Sequence, residues 1–178
     1  GEGIYGVKFL LYDEDRNPIG EFTSDDDGYV YITADDLPDG ANTSGRFYLR
    51  ELEAAEGYIL DKEYKTVYVR PGRTAEIEWV NEAITGQIQI YKYAAEANSV
   101  TGVPAGTPLQ GAVYEIINER SGRVVDYITT DARGVAASKP LPLTRYKIRE
   151  VTAPAYFQLD PTVHDVTLEY AGQIIKIA

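Results

Sequence analysis

Two glutamates stand at matching places in a stretch that the chain contains twice. The run from Phe47 to Asp61 recurs from Tyr146 to Asp160, so that Glu51 and Asp61 return 99 positions later as Glu150 and Asp160. In each copy the glutamate follows apolar residues two and four positions earlier, Phe47 and Leu49 or Tyr146 and Ile148, and on a strand it shares their face. A carboxylate aimed into a core is costly unless it is paired or protonated. Glu51 and Glu150 are therefore the residues whose placement calls for a chemical reason.

Other chemistry finds little support. The chain has no cysteine, which excludes disulfides, thiolate metal sites and cysteine nucleophiles together. His164 is the single histidine, so no histidine cluster and no Ser/His/Asp arrangement can be built. Asp25-Asp26-Asp27-Gly28 lacks the spaced ligands and terminal glutamate of a calcium loop, and reads as a solvated turn. No cofactor and no metal is expected.

The elements that position the glutamates are short strands. Tyr5 to Asp13 is matched by Gln110 to Asn118, and Thr23 to Val30 by Thr129 to Ala136, where an Asp-x-x-Gly turn reverses the chain. Leu37-Pro38 and Leu141-Pro142 lead into the glutamate strands. Thr66 to Val69 and Ile77 to Asn81 follow the first, and Asp165 to Leu168 and Ile175 to Ala178 follow the second. Strand-length segments at this spacing, with no sustained helical period, predict an all-β fold of sandwich type with little helix. A repeat of roughly 100 residues divides the 178 into two domains, expected at 1–84 and 85–178. Between them, Gln87 to Tyr93 alternates clearly as a strand with Ile88, Ile90 and Lys92 on one face. Repeat one has no counterpart to it.

With 17 basic against 28 acidic residues the net charge is −11, the wrong sign for a phosphate backbone or an anionic membrane surface. No nucleic-acid partner and no membrane contact is expected, and no apolar run approaches the about 20 residues of a membrane span.

Lys92 in a first strand, Leu109-x-Gly111-Ala112-x-Tyr114, Thr130-Asp131-x-x-Gly134, Leu141-Pro142, and Tyr146-x-Ile148-x-Glu150-x-x-Ala153-Pro154 together resemble the Cna B-type, prealbumin-like (reverse Ig-like) domains of Gram-positive pilins and surface adhesins. The resemblance covers nearly the whole chain as two tandem copies. It implies an exported protein, attached to the cell wall through segments outside this chain, with a structural stalk role and no enzyme activity. Neighbouring repeats of the same surface protein are the implied partners. A host extracellular protein or glycan is the alternative, met through the Ala95 to Pro108 loop or the Gly40 to Ser44 insertion.

The resemblance also assigns roles. In the family a lysine of the first strand and an asparagine or aspartate of the last form an intramolecular isopeptide bond, helped by the glutamate. Carried over, Lys92 resembles the nucleophile and Glu150 the helper of repeat two, while Glu51 and Asn81 resemble the helper and acceptor of repeat one. Burial favours a neutral amine and a neutral acid, and the amine can then attack the amide carbon with loss of ammonia. Each repeat departs from the pattern by one member. Repeat two reaches Ala178 about one residue before the expected asparagine. Repeat one lacks the lysine strand, and Lys8 is a poor substitute because Val7, Phe9 and Leu11 take the other face. The expectation is that neither bond forms within these residues alone.

Overall fold

The computed structural model describes residues 3–178. The chain divides into two compact units, Gly1–Glu82 and Ala83–Ala178. Unit one contains β1 (Lys8–Tyr12), β2 (Pro18–Thr23), β3 (Gly45–Glu53) and β4 (Tyr64–Val69), joined in one antiparallel sheet of order β2-β1-β3-β4. Helix among the described residues is limited to two single turns of 3-10 type, Ala34–Asp36 and Gly40–Asn42.

Unit two contains β5 (Thr85–Tyr91), β6 (Val113–Asn118), β7 (Val124–Thr129), β8 (Val135–Ala137), β9 (Leu141–Pro142), β10 (Arg145–Thr152), β11 (Val163–Thr167) and β12 (Ile174–Ile177). Its first sheet, β11-β10-β6-β7, repeats the order of unit one with β6, β7, β10 and β11 in the places of β1, β2, β3 and β4. A second sheet, β12-β5-β8, has β9 also paired to β5. Here β5 and β12 run parallel, Ile88 beside Ile175 and Ile90 beside Ile177. The alternating apolar residues of the two sheets meet in one core, with Ile88, Ile90, Ile116, Tyr146, Ile148 and Leu168 all but fully buried.

The same turn chemistry serves both units. Asp131 Oδ1 accepts from the N–H groups of Arg133 and Val135, and Gly134 (φ +75°) closes the reversal. Asp25 does the same for Asp27 and Tyr29. One residue earlier a buried hydroxyl clamps the start of the neighbouring strand: Thr130 donates to Leu109 O at 2.8 Å and accepts from Ala112 N at 3.0 Å. Ser24 repeats the pattern on Ile4 O and Val7 N. Thr130→Val keeps the shape but orphans both buried groups. We expect a loss of about 1–3 kcal/mol, read as a lower urea midpoint for unit two.

The alternation of Ile77, Trp79 and Asn81 predicts a strand, and none is present. Its counterpart β12 owes its ladder to β5, and among the described residues unit one has no strand in that place. Tyr29–Tyr31 and Leu37-Pro38, the counterparts of β8 and β9, lack ladders for the same reason. The absence of one central strand thus removes a whole sheet. Residues 77–81 still cross the apolar face as irregular chain. Trp79 packs edge-on against Phe9 with ring centroids 5.0 Å apart, and Lys65 Nζ holds Glu78 O at 2.9 Å.

Candidate functional site

In unit two, β10 carries Tyr146, Ile148 and Glu150 on its core face, leaving Glu150 4% exposed. Strand β5 carries Ile88 and Ile90 inward, and the chain keeps that phase to Lys92. Lys92 is strapped by its backbone: its N–H donates to Gly134 O at 2.7 Å and its carbonyl accepts from Leu109 N at 2.9 Å. The side chain turns inward, 15% exposed, and Nζ lies 2.8 Å from Glu150 Oε2.

A third group completes this half of the carboxyl. Tyr114, opposite Glu150 in the β6–β10 register, donates its hydroxyl to the same Oε2 at 3.2 Å. Burial, and then the charge of Glu150, push the Tyr114 phenol above the ordinary tyrosine range. Glu150 Oε1 is buried with no hydrogen-bond partner among the described residues. Asp160 lies within the same field; its carboxyl is held below the usual range chiefly by hydrogen bonds from Thr162, with the charges of Lys92 and His164 adding to this.

Unit one presents the other half. Glu51, 2% exposed on β3, takes the Nδ2 of Asn81 on both oxygens, at 2.8 Å and 2.9 Å, and the Asp61 N–H on Oε2 at 2.8 Å. Asn81 reaches the carboxyl from chain that is not a strand. No lysine ammonium is paired with Glu51 among the described residues, and Lys8, on the other face of β1, pairs with Glu53 at 3.4 Å. Phe9 stands opposite Glu51 where Tyr114 stands opposite Glu150.

The structure therefore brings Lys92 to Glu150 and Asn81 to Glu51, as two separate pairs. Unit two holds an amine against a buried carboxyl whose second oxygen is uncommitted. Unit one holds a carboxamide against a buried carboxyl and lacks the amine. Sequence reasoning missed Tyr114 and the Asp61 N–H. The signal for Tyr114 was its phase with Ala112 and Ile116, together with the repeat that sets β6 beside β10.

The remaining candidates for chemistry are accounted for by local bonding. No group of His, Cys, Asp and Glu suited to a metal ion occurs among the described residues. His164 lies half-buried on β11. The Ala95 to Pro108 loop is tied by Asn98, whose Oδ1 accepts from Val100 and Thr101 and whose Nδ2 reaches Tyr156 O at 2.9 Å. Thr43 in the Gly40 to Ser44 insertion is buried and accepts from Asp39 N. No helix of the described residues is long and apolar enough to cross a membrane.

Strand order, turn chemistry and the repeated glutamate define tandem all-β domains of prealbumin type. The chain belongs to the SpaA family of prealbumin-like fold domains, whose family model matches residues 1–83 and 87–178. It is similar to the trypsin-resistant surface T6 protein of Streptococcus pyogenes serotype M6, at 29% identity over 87 residues, covering 49% of this chain and 16% of that protein. Among solved structures it is similar to the Bacillus anthracis TIE protein, at 29% identity and a TM-score of 0.48, covering 99% of this chain and 31% of that one. The minor pilin GBS52 of Streptococcus agalactiae matches at 19% identity and a TM-score of 0.45, covering 99% of this chain and 83% of that one. The chain spans less than a third of the T6 and TIE proteins.

Proposed function

We propose that the chain is a two-domain structural segment of a Gram-positive cell-surface protein, a pilin-like stalk, whose domains are staples in waiting. Each unit holds two members of a three-member amide-forming site. In unit two, Lys92 is the nucleophile and Glu150 the proton carrier. In unit one, Glu51 is the carrier and Asn81 the acceptor, and its lysine would arrive on a strand patterned like Ile88-x-Ile90-x-Lys92 and running beside residues 77–81.

One observation carries this reading. Glu150 Oε1 is buried without a donor among the described residues, and in unit one the matching glutamate receives the carboxamide nitrogen of Asn81 on both of its oxygens. The empty bond in one unit is the filled bond in the other. The chemistry balances as a single turnover. A bond forms between Lys92 Nζ and the side-chain carbonyl carbon (Cγ) of an acceptor asparagine, and that asparagine's Cγ–Nδ2 bond breaks; the proton lost by the amine goes through the Glu150 carboxyl to the leaving nitrogen, which departs as ammonia. An amide across the sandwich resists pulling and proteolysis as a disulfide would, in a chain without cysteine. The segment acts with neighbouring repeats outside the cell, and turns over no substrate.

The test is the mass of the chain extended by one asparagine after Ala178. We expect a deficit of about 17 Da, one ammonia, in that chain, and none when Lys92→Ala or Glu150→Ala is added. Full mass in the extended chain after prolonged folding would overturn the reading.

A further inference from the structure

The geometry points to Tyr114 as a positioning residue for Glu150, one that assigns the two carboxyl oxygens to different tasks; the inference rests on the amide-forming reading above. Glu150 Oε2 is held twice, by Lys92 Nζ at 2.8 Å and by the Tyr114 hydroxyl at 3.2 Å. With both donors on Oε2, the carboxyl cannot rotate to exchange its oxygens without breaking two buried bonds. Oε1, buried and unpartnered, is left as the oxygen facing the acceptor amide. A proton carried on Oε1 can polarise the acceptor carbonyl while Oε2 keeps the amine aligned and accepts from it. Tyr114 touches neither amine nor acceptor among the bonds present; it acts through Glu150.

Unit one supplies the contrast. Phe9 fills the place of Tyr114, and there the orientation of Glu51 is set by other donors, the Asp61 N–H and the Asn81 carboxamide. Two different devices thus fix the same carboxyl. Phe9 also shows that a phenylalanine at this place is compatible with the fold, so Tyr114→Phe removes one hydroxyl and little else. The charged and titratable groups facing the Tyr114–Glu150 pair are Lys92, beyond β5, and Asp160, ahead of β11, with His164 acting on Asp160.

The experiment follows the rate of ammonia loss by mass in the full chain carrying the added asparagine, refolded from denaturant over a range of pH. Tyr114→Phe should slow bond formation roughly tenfold. It should also change the pH profile of that rate, because Oε2 loses one of its two donors. Tyr146→Phe is the structural control. Its hydroxyl bonds Pro142 O at 2.5 Å, away from Glu150, and its loss should leave rate and profile in place. Equal rates and profiles in Tyr114→Phe and the parent overturn the role of Tyr114 while leaving the amide-forming reading intact. Slowing in both variants with an unmoved profile also overturns it, since a loosened fold would do the same. Absence of any mass deficit in the parent overturns both.

Discussion

Lys92→Met lowers the stability of unit two by about 3–5 kcal/mol, the loss expected when one member of a buried ion pair is removed and the other stays uncompensated. Glu150 is 1% exposed at its side chain and keeps only the Tyr114 hydroxyl once the ammonium is gone. An exposed pair gives a far smaller change: Lys147→Met, which removes the partner of Asp165 on the outer face, should leave the denaturation midpoint almost where it was. The informative comparison is the double substitution Lys92→Met with Glu150→Leu. Replacing a buried pair with apolar groups of similar volume is often neutral or stabilising, so the double variant should be more stable than either single one. Chemical denaturation of the four chains gives the coupling directly. That pattern would mean the unlinked pair is not an optimum for stability, which leaves the reaction as the reason for two charges in a core.

Gly134→Ala is the second large effect, and it acts on the site through the backbone. An added Cβ would lie 2.3 Å from Lys92 O, 3.2 Å from Leu109 N and 3.2 Å from Pro108 Cβ. The nearest obstacle is backbone that also carries the Lys92 strap, so it cannot swing aside like a flexible side chain. Gly134 also sits at φ +75°, where an L-residue costs about 1–2 kcal/mol on its own. We expect a total of roughly 3 kcal/mol or more, with Lys92 displaced and bond formation lost in the asparagine-extended chain. Gly122→Ala is the matched control. It has φ +70° but open space around the new atom, so only the smaller conformational cost of about 1 kcal/mol applies. A Gly134→Ala chain as stable as Gly122→Ala, forming its bond at the parent rate, would show that the strap does not position Lys92.

Much of this was legible in the residues because the chain repeats itself. The phase of Glu51 with Phe47 and Leu49, and of Lys92 with Ile88 and Ile90, is a local property of a strand and can be read off spacing alone. The fate of Ile77–Asn81 could not be read that way. Its alternation is as regular as that of Ile174–Ile177, yet a strand exists only where a partner supplies donors and acceptors, and the partner is decided elsewhere in the chain. Asn81 reaches Glu51 all the same, because the alternating side chains still pack on the sheet without a ladder. Tyr114 lay hidden for a related reason. Its hydroxyl matters only once β6 and β10 pair in the register that sets it opposite Glu150, and register is a property of two strands together.

Whether each unit holds two members of a three-member site can be read from the intact mass of denatured residues 1–178. With one member missing from each site, the chain keeps the mass of its sequence, 19.7 kDa, without loss. A deficit of about 17 Da, one ammonia lost in amide formation, would contradict it: Lys92 or another amine would already have found an acceptor within these residues.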